Sequence, residues 1–125
     1  NDLVKDKHTC LLLRFPGSTE YRWSLKTPSG LKTYEVSGPV STDDGDVLTD
    51  WALSGHGIIN KPLFDVWPHI KTGRLVPVCT KTRPPDAQLA VLFAHKRHQA
   101  PKIRIFIDFM AERIRQTLCD VEMPL

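Results

Sequence analysis

An α/β fold is predicted by three observations. The segment 42–60, Thr-Asp-Asp-Gly-Asp-Val-Leu-Thr-Asp-Trp-Ala-Leu-Ser-Gly-His-Gly-Ile-Ile-Asn, reads in order as polar loop, amphipathic helix, glycine stop and buried strand. Short, continuous apolar runs at 10–14, 75–79 and 89–94 have the length of buried strands rather than helices. From Pro101 onward, apolar residues recur at helical spacing.

Each element follows in order. Residues 2–7 fit a short helical turn, and Cys10-Leu11-Leu12-Leu13-Arg14 fits a buried strand that Pro16-Gly17-Ser18 breaks. Residues 21–26 and 31–36 flank Thr27-Pro28-Ser29-Gly30 and read as an antiparallel hairpin, with Trp23 and Leu25 on one face and Arg22 and Ser24 on the other. In the 42–60 unit, Asp43 or Asp44 can cap the helix, and Asp46 lies in the first turn, where the helix dipole favours an anion. Val47, Leu48, Trp51 and Ala52 form its expected buried stripe, and Gly55 and Gly57 release the chain into Ile58-Ile59.

Pro62 opens a further helix carrying Leu63, Phe64, Val66 and Trp67. Pro68 is expected to interrupt it, leaving 69–72 as a second short turn that Gly73 ends. Residues 75–79 then form a strand. The polar, cationic stretch 80–86, twice broken by proline, is the expected crossing between two lobes. Residues 89–94 form another strand. Pro101 sits at the natural first position of the last helix, whose stripe is Ile103, Phe106, Ile107, Met110, Ile114 and Leu118, widened by Ile105 and Phe109. Residues 120–125 are expected to fray.

At 125 residues and 41% hydrophobic, the chain has the size of one domain and can bury a core. No apolar run approaches the roughly 18 residues that span a membrane. The opening Asn-Asp-Leu-Val-Lys-Asp-Lys does not resemble a signal peptide, and a start without Met points to a processed or excised chain. Cys10, Cys79 and Cys119 are odd in number, far apart and in mainly apolar surroundings, which fits buried, reduced thiols of a cytoplasmic protein.

The formal charge of +3 is modest but unevenly spread. Asp43, Asp44, Asp46, Asp50 and Asp65 outnumber Lys61 between 42 and 70, whereas Lys96, Arg97, Lys102, Arg104, Arg113 and Arg115 dominate the C-terminal segment. Such asymmetry can mark a nucleic-acid face. No aromatic residues interleave these cations on the polar face, however, and the wet side of an amphipathic helix accounts for them.

Catalytic and metal chemistry find little support. His56, His69, His95, His98 and the cysteines show no Cys-x-x-Cys and no helical His-x-x-x-His spacing. No Gly-x-Ser-x-Gly elbow or phosphate loop is present, and aspartates before a helix are equally expected as caps. The expectation is no enzyme, no cofactor and no metal.

Several landmarks recur together in one order: Asp2-Leu3 with His8-Thr9-Cys10-Leu11; Arg14-Phe15-Pro16-Gly17; Tyr21-Arg22-Trp23; Asp44-Gly45-Asp46 before an amphipathic helix; and Gly55-His56-Gly57-Ile58. Gly73-Arg74-Leu75-Val76, Arg97-His98 and the run 101–109 complete the set. In these the chain resembles the effector-binding (substrate-binding) domain of LysR-type transcriptional regulators, C-terminal portion only. The resemblance implies a Rossmann-like lobe of a two-lobed domain of the periplasmic-binding-protein-like type 2 class. Residues 1–80 would be the second lobe (regulatory subdomain II), 81–87 the crossover, 88–118 the C-terminal strand and helix of the first lobe, and 119–125 a tail. The rest of the first lobe and a winged helix-turn-helix would lie upstream. Without its usual neighbours, an exposed 89–94 strand should recruit another copy or rearrange. Ala100 stands where a serine would cap the last helix, which should cost about 1 kcal/mol.

The implied function is ligand sensing. A small effector would bind in the cleft between lobes and alter DNA binding by the separate winged helix-turn-helix domain, in a homodimer or tetramer built through lobe helices, with no membrane partner. Carried over residue by residue, the effector-binding side chains and amides are Arg14 and Phe15 after the first strand, Thr42, Asp43 and Asp44 before the helix, and Gly57, Ile58 and Asn60 after it. Strand ends and helix starts are where open α/β sheets hold ligands, so 42–44 and 57–60 are pocket edges on that ground too. Each has a plainer alternative: Arg14 pairing with Asp43 or Asp44, Phe15 in the core, the aspartates as caps, Asn60 bonding local backbone. Arg14, if unpaired, favours a carboxylate effector, because its fork suits bidentate binding. The alternative function is a solute-binding or oligomerisation module of the same architecture without DNA-linked activity.

Overall fold

The computed structural model describes residues 8–15, 21–86, 88–92 and 101–121. The chain divides into two compact units, Asn1–Asp86 and Ala87–Leu125. The 2–7 turn, the 16–18 break and the Ala100 cap position lie outside the described residues, as do residues 93–94 of the 89–94 strand and the end of the tail.

The first unit is organised around residues 10–14. Cys10, Leu11 and Leu12 are each almost wholly buried, and the segment that contains β1 (Leu12–Leu13) is paired on both sides, β1 itself on one edge and residues 9–11 on the other. On one edge it pairs in parallel with β4 (Ser41–Thr42), Leu12 opposite Ser41, with Leu12 N and Arg14 N donating to the Val40 and Thr42 carbonyls. On the other edge Cys10 bridges Ile58 in parallel; Leu11 N donates to Ile58 O at 2.9 Å and Ile58 N to Thr9 O at 2.8 Å. Helix α1 (Gly45–Leu53) carries the chain from β4 to Ile58 and packs on β1 and β4. The expected loop and helix are therefore present, while the expected buried strand at Ile58-Ile59 is reduced to a single bridge with both residues half-buried.

Close approach of the flanking segments demands a missing side chain at Gly38, where a Cβ would fall 1.8 Å from the Cys10 carbonyl oxygen. Burial also acts on the Cys10 thiol, whose pKa it pushes up by desolvation. Cys79 and Cys119 are exposed, so the expectation of three buried thiols holds only for Cys10. The other two lie on segments that bury little: Cys79 follows exposed Val76 and Val78, and Cys119 ends the last helix.

Helix α1 begins as expected at an aspartate cap. Its inward face differs: Leu48 and Thr49 are buried, Trp51 and Ala52 are half-buried, and Val47 is exposed. The stripe is rotated because Thr49 faces a buried polar partner, Lys61, which apolar periodicity cannot reveal. Helix α2 (Leu63–Lys71) starts after Pro62 and runs unbroken through Pro68 to Lys71, with Thr72 as its C-cap, correcting the expected interruption. A proline removes one donor to the preceding turn. The bond lost here is the one to the Phe64 carbonyl, and the next turn closes normally, the Pro68 carbonyl accepting from Thr72 N at 3.3 Å and Thr72 Oγ1 at 2.9 Å.

Strands β2 (Arg22–Thr27) and β3 (Gly30–Glu35) form the expected hairpin, Trp23 opposite Tyr34 and Ser24 hydroxyl bonded to Thr33 hydroxyl at 3.0 Å. Leu25 is its buried anchor. The 80–86 stretch lies along the hairpin: Lys26 N donates to Arg83 O, and Lys26 Nζ meets Asp86 at 2.8 Å. That hydrogen bond first, and the lysine charge second, hold the Asp86 carboxyl below its usual range.

Two expected strands are not found. Residues 75–79 and 88–92 have no strand partner among the described residues. Pro77 lacks a donor, Cys79 takes a left-handed φ of 55°, and Val76 and Leu92 are 76% and 92% exposed. An apolar run becomes a strand only when a second strand accepts its hydrogen bonds.

In the second unit, α3 (Pro101–Cys119) is the helix that the spacing predicts. None of its residues is buried; Ile103, Ile105, Phe106, Phe109 and Leu118 are exposed, and Arg104–Asp108 and Glu112–Arg115 pair along its surface. No helix among the described residues is long and apolar enough to cross a membrane.

Gly38→Ala tests the close packing around residue 10. Its added methyl should cost about 1–3 kcal/mol, the usual range for overpacking, read as a lower denaturant midpoint with an unchanged slope.

Candidate functional site

Three parallel segments end on the same side of the first unit. The central one ends in Arg14 and Phe15, its β4 neighbour in Thr42, Asp43 and Asp44, and the Ile58 segment in Asn60. Because parallel strands share one direction, their carboxyl ends converge, and the helix that follows turns its N-terminal amides toward the same edge. Seven of the eight sequence-predicted residues belong to these ends or to the bridge itself. Gly57 precedes the bridge and presses on the central segment, since a Cβ there would lie 2.5 Å from Thr9 O.

The helix entrance is tightly specified. Asp44 Oδ1 accepts from Asp46 N at 2.8 Å and Val47 N at 3.2 Å, and Thr42 Oγ1 accepts from Asp44 N at 3.0 Å. Asp44 is thus the cap, resolving the choice between it and Asp43. Asp43 instead faces Arg14, with 3.8 Å between charged atoms and both side chains well exposed. A pair this long and wet contributes between nothing and about 1 kcal/mol. Arg14 is held near the rim and keeps most of its donors accessible.

Beside this edge lies a concavity of about 310 Å³ lined by Leu11, Leu13, Phe15, Tyr21, Arg22, Trp23 and Asn60. Leu11, Leu13 and Phe15 alternate along the central segment and so share one face. Phe15 is 64% exposed, which places it on the wall and not in the core. The Asn60 side chain makes no hydrogen bond among the described residues, so the local backbone does not occupy its amide. Arg22 reaches Glu35 across the hairpin at 3.7 Å. Two predicted residues, Phe15 and Asn60, meet at this concavity; Arg14, Thr42, Asp43 and Asp44 gather at the helix entrance beside it.

Sequence pattern does not single out the most buried charge in the neighbourhood. Lys61, with its side chain 5% exposed, donates from Nζ to Gly45 O at 2.9 Å and Thr49 Oγ1 at 3.1 Å, and pairs with Asp65 one turn on. Thr49 Oγ1 in turn donates to Gly45 O at 3.0 Å, which closes the network. Only the Lys61–Asp65 spacing of four residues hinted at it. No cluster of three or more His, Cys, Asp or Glu side chains suited to a metal ion occurs among the described residues.

Comparison with known proteins gives a consistent result. The family model described as LysR substrate binding domain matches residues 5–115. The chain is 32% identical over 115 residues to the HTH-type transcriptional activator TtdR of Escherichia coli K12, covering 90% of this chain and 36% of that protein. It is 31% identical over 117 residues to the HTH-type transcriptional regulator CrgA of Neisseria meningitidis serogroup B, covering 90% and 37%. With the HTH-type transcriptional regulator DmlR of Escherichia coli K12 the identity is 27% over 103 residues, covering 82% and 33%. The chain spans about a third of the length of these relatives.

Asp44→Ala removes the side chain that satisfies two orphan amides of α1. A loss of about 1 kcal/mol in unfolding free energy is expected, the usual worth of such a cap, whereas Asp43→Ala should shift the denaturation midpoint by less than half as much.

Proposed function

This chain belongs to the LysR substrate-binding domain family, and on that premise we propose that it is the ligand-sensing part of a bacterial transcriptional regulator, binding a small carboxylate effector. One observation carries the reading: the carboxyl ends of three parallel segments bring Arg14, Phe15, Thr42, Asp43, Asp44 and Asn60 to one edge, beside a concavity with apolar and aromatic walls. Gly57 and Ile58 set the segment that carries Asn60. Apolar walls with a few polar groups are the usual composition of small-ligand sites. Arg14, joined to Asp43 only across 3.8 Å at the surface, can exchange that contact for a bidentate bond to a carboxylate. The free amide of Asn60 adds a donor and an acceptor on the other side of the rim.

In this reading residues 1–80 form the second lobe of a two-lobed effector domain, 81–87 cross over, and 88–118 return to a first lobe completed by other segments. The division of the chain after Asp86 supports it. So does the exposed apolar surface of α3, which suits a helix made to pack against more of a sheet. The relatives are named as HTH-type regulators, and a DNA-binding helix-turn-helix in another part of the protein would receive the signal. Effector closes the cleft, closure alters packing between subunits of a cytoplasmic dimer or tetramer, and the DNA-binding parts change spacing.

The test uses the complete gene product and a thermal-shift series with small carboxylates, succinate first, against its uncharged diamide. At about 100 times its Kd, a ligand of the folded state adds about 2.7 kcal/mol, a rise of roughly 5–10 °C. Succinate should raise the melting temperature and the diamide should not. Arg14→Gln should leave the unliganded melting temperature within about 1 kcal/mol equivalent and remove the succinate response. Equal responses to acid and diamide, or an undiminished response in Arg14→Gln, would reject a carboxylate held by Arg14.

A further inference from the structure

We infer that Lys61 is a positioning residue of the ligand rim: its buried ammonium fixes the segment bearing Asn60 against the N-terminal turn of α1, and so sets Asn60 relative to Asp43 and Asp44. The inference rests on the site reading above and adds a residue to it.

Asn60 immediately precedes Lys61, and Asp44 immediately precedes Gly45, whose carbonyl Lys61 Nζ holds at 2.9 Å. The two rims of the site are therefore joined through one nitrogen. Main-chain bonding does not do this work. After the Ile58 bridge, the next main-chain hydrogen bond among the described residues is Asp65 N to Pro62 O, so residues 59–61 have no such bond of their own. The Lys61 side chain is what anchors them. Its three donors are matched by three acceptors: the Gly45 carbonyl, the Thr49 hydroxyl and the Asp65 carboxylate. A Cβ at Gly45 would lie 3.2 Å from Nζ, so the absence of a side chain there leaves room for the ammonium.

Stability alone does not explain a charge in this place. Burying an ammonium carries a desolvation cost that its pairings only offset, and apolar side chains of similar volume often serve a core equally well. What an apolar chain cannot supply is direction. A methionine at 61 would fill the space without choosing the Gly45 carbonyl over its surroundings, and the rim would lose its fixed width. Small errors of placement matter at such a rim, because effector contacts require polar atoms from both sides at hydrogen-bond distance.

The experiment compares the complete gene product with its Lys61→Met/Asp65→Asn variant, in which neither charge is left without its partner. Backbone order parameters from nitrogen relaxation and succinate affinity by calorimetry are measured on both. Positioning predicts order parameters at 59–61 falling from the rigid value of about 0.85 to below about 0.6, with the 22–35 hairpin unchanged and succinate binding at least tenfold weaker. Should that variant fail to fold, Lys61→Gln, which keeps a donor but shortens the reach, carries the same two measurements. Unchanged order at 59–61 would overturn the inference, as would loss of order in the hairpin as well, since Lys61 would then be a general stabiliser. Loosened 59–61 with undiminished affinity would overturn it too. Failure of the parent protein to bind succinate would count against the carboxylate reading instead, and the order parameters would still decide the role of Lys61.

Discussion

The first unit depends on satisfying the main chain of one apolar segment. Residues 10–12 are too buried to be hydrated, so the amide and carbonyl groups of this segment need partners on both edges, and Val40–Thr42 and Ile58 supply them. An unpaired buried peptide group would cost about 1–3 kcal/mol, a large fraction of a small domain's stability. Parallel pairing on each side has a geometric consequence: all three segments must exit at the same edge. The rim is thus a by-product of how the core pairs its backbone, and the polar residues at 14, 42–44 and 60 stand where the chain leaves that core.

Two kinds of interaction then divide the labour. Backbone pairing and the buried side chains Leu11, Leu12, Leu25 and Leu48 hold the unit together. A small set of directional contacts, the Asp44 cap and the Lys61 ammonium, decides where the exits point. Each removes freedom from a loop. The Arg14–Asp43 pair is of a third kind, long and wet enough to be exchanged for a ligand.

How far the sequence discloses this depends on the range of each interaction. An aspartate cap on α1, the 27–30 turn and α3 are local and legible in the sequence, with only the choice between Asp43 and Asp44 left to the structure, because capping, turn residues and helical spacing act over a few neighbours. The inner face of α1 was misjudged by one position, since Thr49 is turned inward by Lys61 twelve residues later and not by apolar spacing. Residues 75–79 and 89–92 have strand-like composition without a described strand beside them, and composition cannot supply a partner. Pro68 lies inside α2, where a proline removes one donor without ending the helix. Phe15 and Asn60 line the concavity, and so do Tyr21, Arg22 and Trp23, which the sequence shows as part of the hairpin and as a family landmark but not as a wall. Their part in the wall comes from how the hairpin folds back beside residues 11–15, a non-local fact.

The most direct test of a rim built from three parallel exits is to map amide chemical shifts in the complete gene product as a bound carboxylate is titrated in. The account predicts changes concentrated at Arg14 and Phe15, Thr42 to Asp44, and Gly57 to Asn60, three stretches far apart in sequence and adjacent at one edge. Changes centred on the 27–30 turn or on the exposed face of α3, with these three stretches still, would contradict it.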